Sequence, residues 1–173
     1  LGAGIHIKTA DSGASVSSEA DELVIEHGNA IGGMTFLAAT DGLSKIAFGD
    51  SDDNDAGMML YSHEDNHLLF NTAGSTRMKI AADGDVLIAK TSISSATVGH
   101  QLHAIGEVAH TRSGQNVMIL NRHTNDGQIV SFRGNNTEQG TINVSGSTIS
   151  YNAFSGAHWS RLADNSAPTI LRG

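Results

Sequence analysis

The chain has 173 residues and a mass of 18.0 kDa, with a formal net charge of -8 at pH 7, no cysteine and one proline. The lack of Cys excludes disulfide staples, thiolate metal sites and a cysteine nucleophile. The acidic balance argues against nucleic acid as a partner and against docking on anionic membrane. Its length suits one large domain or two small ones. Aromatic residues make up only 5% of the chain and Gly fills 20 positions. Bulky core material is therefore thin, and such a chain gains by burying apolar faces against copies of itself. No apolar run approaches the roughly 20 residues of a membrane span, so no membrane insertion is expected. The chain opens at Leu1 with neither an initiator Met nor a signal-peptide layout, and is expected to be a piece of something longer.

Helical periodicity is poor throughout. Short apolar runs of four to six residues recur instead, punctuated by Gly, Asp, Asn or Ser, which is the pattern of strands and turns. In chain order the predicted strands are Gly4–Lys8, Glu22–Glu26, Met34–Ala38, Lys45–Phe48, Met58–Ser62, Leu68–Asn71 and Arg77–Ala81. They continue with Val86–Lys90, Gln101–Ala104, Val108–His110, Val117–Arg122, Gln128–Arg133, Thr141–Val144 and Thr148–Tyr151. Asp41-Gly42, Asp83-Gly84 and Asp126-Gly127 fall between these runs. Asp-Gly tolerates the positive φ of tight hairpin turns, so an antiparallel meander is expected. The stretches 58–70 and 117–132 share a plan of apolar strand, polar turn and apolar strand, and read as two related hairpins.

Composition divides the chain. Residues 1–19 read as an N-terminal connector, with a Ser/Ala-rich break near Asp11–Ala20, and 20–90 as a first β module. Residues 91–99, rich in Ser and Thr, read as a second connector, and 100–173 as a second β module leading toward a further region. Met58-Met59-Leu60 and Val117-Met118-Ile119-Leu120 are apolar on both faces, so both sides of these strands are expected to be covered.

Candidate chemistry is sparse. Asp50, Asp52 and Asp55 lie in the densest acidic cluster and are weak candidates for a cation. The cluster lacks the sixth-position Gly of a calcium loop, and Tyr61 stands where the twelfth-position Glu would be, so a solvated turn is the better reading. His63 with His67, and His100 with His103, have spacings that bind metal on a helix, but here they span turns between strands. Surface or inter-chain hydrogen bonding is favoured for them. No Gly-x-Ser-x-Gly elbow exists. Asp21, Glu22 and Glu26 could be imagined as glycosidase acids, yet nothing in the sequence fixes their mutual geometry. No catalytic residue and no cofactor are expected. Tyr151, Phe154 and Trp159 form an aromatic cluster that reads as packing of the last module or docking of the next region.

The ordered series Ala20-Asp21-Glu22-Leu23-Val24-Ile25-Glu26, Phe48-Gly49-Asp50, Leu60-Tyr61-Ser62-His63, Arg77-Met78-Lys79-Ile80 and Asp83-Gly84-Asp85-Val86-Leu87-Ile88 resembles a structural module of bacteriophage tail fibres and tailspikes, of the kind common in marine phages. The segment from Asn121 to Leu162 resembles the part of such fibres that runs into a C-terminal chaperone-like domain. The likeness extends over roughly residues 20 to 173. Where the family's first unit ends on a Gly-Ile-Gly-Thr phrase, this chain has Ile88-Ala89-Lys90-Thr91.

The resemblance implies an all-β fold of short antiparallel strands and hairpins, with β-sandwich or β-prism-like modules in an elongated, intertwined homotrimer. It also implies a virion structural protein, extracellular, supporting host recognition and adhesion. The implied partners are the chain itself, other virion or tail proteins, and a host surface glycan or outer-membrane receptor. A polysaccharide-degrading tailspike, a trimeric bacterial adhesin and a head-decoration spike are the alternatives. The receptor-binding residues are left unassigned.

Overall fold

The computed structural model describes residues 4–28 and 31–152. Among these residues there is no helix, and twelve strands form three sheets. The chain divides into two units, Leu1–Val117 and Met118–Gly173.

The first unit opens with β1 (Ile5–Lys8) and β2 (Leu23–Glu26), which pair in parallel with Ile5 opposite Leu23 and Lys8 opposite Glu26. This departs from the expected antiparallel meander. A parallel pair cannot be closed by a tight turn, and the intervening segment 9–22 supplies the return crossing. Side chains shape that crossing. Asp11 Oδ1 accepts from the Gly13 N–H at 2.9 Å, and Glu26 Oε1 accepts from the Ser12 N–H at 2.8 Å and from Ser12 Oγ at 3.0 Å.

The rest of this unit is one antiparallel sheet whose strand order is the chain order. Its strands are β3 (Leu43–Phe48), β4 (Gly57–Ser62), β5 (His67–Thr72), β6 (Ser75–Ile80), β7 (Val86–Ile88), β8 (Gly99–Leu102) and β9 (Val108–Thr111). Short turns make the meander. Ala73 and Gly74 link β5 to β6 with φ of 48° and 67°, the pair of positive values that a two-residue type I′ turn needs. Between β6 and β7 the Gly84 N–H donates to Ala81 O at 3.0 Å and the Ala81 N–H to Asp85 O at 2.9 Å. The β8–β9 turn repeats this geometry, Gly106 N–H to His103 O and His103 N–H to Glu107 O, both at 2.8 Å. Gly84 and Gly106 stand at φ 93° and 94°, left-handed values that glycine adopts without strain.

The second unit holds a three-stranded antiparallel sheet of β10 (Gly127–Gly134), β11 (Thr137–Ser145) and β12 (Thr148–Asn152). Asn135 and Asn136, at φ 50° and 63°, close the first hairpin. Gly146, at φ 58°, opens the second.

Two predicted strands are not strands. Residues 34–38 make no ladder; Phe36 instead lines a cavity with Ile46, Met59, Tyr61 and Leu68, so the run contributes a side chain and not a strand. Asp41-Gly42 consequently precedes β3 and closes no hairpin. Residues 117–122 are irregular too, with Val117, Met118, Ile119 and Leu120 all exposed. A strand persists only where its N–H and C=O groups find a partner edge, and none pairs with this run. The second of the two related hairpins is therefore absent, and Asp126-Gly127 leads into β10, which pairs forward with β11. The Ser/Thr-rich stretch 91–99 is a loop inside one sheet, since β7 pairs with β8 across it. The division between the two units falls instead at Val117 and Met118. The aromatic cluster beyond Asn152, with Phe154 and Trp159, lies outside the described residues.

Candidate functional site

Alternate residues of a strand point to opposite faces, so the register of the seven-stranded sheet assigns its side chains to two faces. One face carries two unbroken rows. The first runs Ile46, Met59, Phe70, Met78, Ile88, His100 and His110 from β3 to β9. The second runs Ser44, Tyr61, Leu68, Ile80, Val86, Leu102 and Val108. Neither row contains a Lys, Arg, Asp or Glu. Arg77 adjoins them at the irregularity in the β5–β6 pairing, where Nε donates to Thr72 Oγ1 at 3.0 Å, and Lys45 reaches the cavity at the β3–β5 end. Phe36 shelters the β3–β5 end of this face around a cavity of about 150 Å³. Elsewhere it is open: Ile88 is 38% exposed, Leu102 42% and Val108 54%.

The opposite face is closed at one end by the chain itself. Its central row is Lys45, Leu60, Leu69, Lys79, Leu87, Gln101 and Ala109. The loop from Ala89 to Val98 folds over the β7–β9 end of it. Gln101 Oε1 accepts from the Ser94 N–H at 2.8 Å, Lys90 Nζ donates to Ser94 O and Thr97 O, and Thr111 Oγ1 donates to Ser95 O at 3.2 Å. Leu87, Lys90 and Gln101 are buried beneath this loop. Gly99 permits it: a Cβ there would lie 2.7 Å from Ile88 O and 2.9 Å from Lys90 Cδ, at a φ of 138°.

One carboxylate ties the two similar turns together. Asp85, buried at the start of β7, accepts from the Ala104 N–H on Oδ1 and contacts His103 Nδ1 with Oδ2, each at 2.8 Å. The Ala104 N–H, and after it His103, hold the Asp85 carboxyl below the usual carboxylate range, against the opposing effect of burial. Both oxygens are engaged, so the pair staples turn to turn. Sequence reasoning passed over Asp85; the signal was an acid after each of two X-Gly turns, in Asp83-Gly84-Asp85 and Ile105-Gly106-Glu107.

The candidate cation residues do not converge. Asp50 Oδ1 accepts from the Asp52 and Asp53 N–H groups at 2.9 and 3.0 Å, and those two bonds lower its pKa. Asp53 Oδ1 takes the Asp55 N–H at 3.1 Å. The cluster builds a turn from its own carboxylates. Among the described residues no group of three or more His, Asp or Glu is arranged to hold a metal ion.

The histidine pairs part company. His63 bonds Ser44 Oγ through Nε2 at 3.0 Å, and His67 Nδ1 lies 3.8 Å from Asp65. His103 joins Asp85, while His100 meets His110 across the strand pair, Nδ1 to Nδ1 at 2.7 Å with the rings edge to face. Of the imagined acids, Glu26 is committed to structure: it pairs with Lys8 at 3.2 Å and His6 at 2.9 Å, besides holding Ser12. The Ser12 N–H, followed by the Lys8 and Ser12 side chains, lowers its pKa to about 2.

Among the described residues, then, no group of His, Asp and Glu is arranged for a metal ion, and one sheet carries an extended apolar face open over most of its width. The chain matches no protein-family model, no curated protein and no solved structure.

Proposed function

We propose that this chain is a structural segment of a virion appendage of the tail-fibre type, working as a homotrimer that supports host-surface recognition and not as an enzyme. The observation that carries this reading is the missing core. Leu87 is the only buried hydrophobic side chain among the described residues, while large hydrophobics from all three sheets are exposed, among them Leu23, Phe48, Val108 and Phe132. Fully burying one such side chain is worth about 1.5–3 kcal/mol, and single-layer sheets leave that energy unrealised until another surface covers them. Association of identical chains realises it, so assembly adds to the stability of each chain. A rigid threefold support also multiplies weak receptor contacts through effective concentration.

Light scattering on a size-exclusion column tests the reading. The expected mass is three times 18.0 kDa. A folded monomer overturns it. Unboiled protein is expected to migrate as the assembly in SDS, and a monomer band would count against the interlocked trimer.

A further inference from the structure

We infer that the apolar face of the seven-stranded sheet is the surface on which copies of this chain pack, and that its occupant is the same face of the other copies. The inference rests on the self-association proposed above and assigns it to one surface among several exposed ones.

Size supports the assignment. Seven strands spaced about 4.8 Å apart span about 29 Å, and two residue rows rise about 14 Å, a flat footprint of roughly 400 Å² per copy. A contact between two copies removes roughly 800 Å² counted flat, and side-chain relief carries it toward the roughly 1,200 Å² at the lower end of the range for stable interfaces. Chemistry narrows the occupant. Fourteen positions in register across the whole sheet hold no Lys, Arg, Asp or Glu, and with Arg77 beside them engaged by Thr72 Oγ1 the face favours an apolar occupant. Every copy presents the same face, so in a threefold ring all three faces turn toward the common axis and each is covered by the other two. The face behind it carries Lys45 and Lys79 and is partly closed by the chain's own loop, which makes it the side that belongs in water.

The chain has no Cys, so single cysteines report burial cleanly. Ile88→Cys places a thiol on the face, and Ile105→Cys places one in the β8–β9 turn, where Ile105 is 89% exposed. Both variants of the full chain are labelled with a maleimide dye, and their masses are taken by light scattering. In the lone chain Ile88 is 38% exposed, so uncovered Ile88→Cys would react within a few-fold of Ile105→Cys. The expected result is an unchanged assembly mass with Ile88→Cys labelled at least tenfold more slowly. Comparable labelling rates in an assembly of unchanged mass overturn this inference and leave the trimer reading standing. A monomer whose Ile88→Cys labels slowly means that the chain's own segments cover the face, and overturns both. As a second variant, Ile88→Lys is expected to give a monomer that keeps its β-sheet circular dichroism; retention of the full assembly mass would overturn the inference.

Discussion

Leu87 and Ile88 are neighbours on β7 with opposite fates. Leu87 is 2% exposed under the loop Ala89–Val98, whereas Ile88, on the other face, is 38% exposed. The two faces show how a chain poor in bulky residues spends its few covering elements. One face is closed at its β7–β9 end by a ten-residue loop held by a buried lysine and a buried glutamine. On the other, Phe36 lines a cavity at one end, while Ile46, Ile88, Leu102 and Val108 stay exposed. The covering loop gives the β7–β9 end its local order, and the open face is the one that the proposed assembly would cover.

Breaking the closed face tests the first half of this contrast. Leu87→Ala is expected to cost about 2–4 kcal/mol, as a large-to-small change at a buried site does, with a melting shift that does not vary with protein concentration. Ile88→Ala should instead give a shift that grows on dilution, because it weakens association. Gly99→Ala comes next in size. Its Cβ meets Ile88 O at 2.7 Å with φ at 138°, and a loss of about 2 kcal/mol is expected, read by urea denaturation. Lys90→Met removes the donor to Ser94 O and Thr97 O and should cost about 1–2 kcal/mol; hydrogen exchange is expected to speed up in residues 91–98 more than in β4 and β5.

A smaller change sharpens the loop's own geometry. Ala89 stands at φ 59°, a left-handed conformation that costs a non-glycine residue about 1 kcal/mol. Ala89→Gly should stabilise the sheet by about 0.5 kcal/mol once glycine's greater unfolded freedom is counted. The gain would be seen as a higher urea midpoint.

Outside the seven-stranded sheet, Glu26 has its pKa lowered from 4.5 to about 2, so its contribution is fully present above its ordinary pKa. It is lost as pH falls through about 2. Exchange at the β1 and β2 amides should rise over that window while β5 and β6 stay protected, and Glu26→Gln should remove the dependence.

Most strands were legible in the sequence because alternating or continuous apolar runs ended at residues that tolerate turns. Met58–Ser62, Leu68–Asn71, Arg77–Ala81 and Thr148–Tyr151 fall within a residue or two of the strands observed. The failures have one cause. Val117–Arg122 has as good a strand composition as Val86–Lys90, and only the second has a partner edge. Ala73-Gly74 and Asn135-Asn136 turn as tightly as any Asp-Gly, while Asp41-Gly42 and Asp126-Gly127 close no hairpin. The Asp50 cluster was legible as a turn because short carboxylates cap neighbouring N–H groups.

By itself, then, the sequence determined an all-β chain of short strands without cysteine chemistry, since those properties follow from local composition and spacing. Which strands pair, that β1 and β2 run parallel, and that the 91–99 stretch lies within a sheet were decided only in the tertiary structure. So was the division of apolar residues between a closed face and an open one. Hydrogen-bond partners and covering loops come from residues far away along the chain, and neither composition nor periodicity records which distant edge a strand will meet.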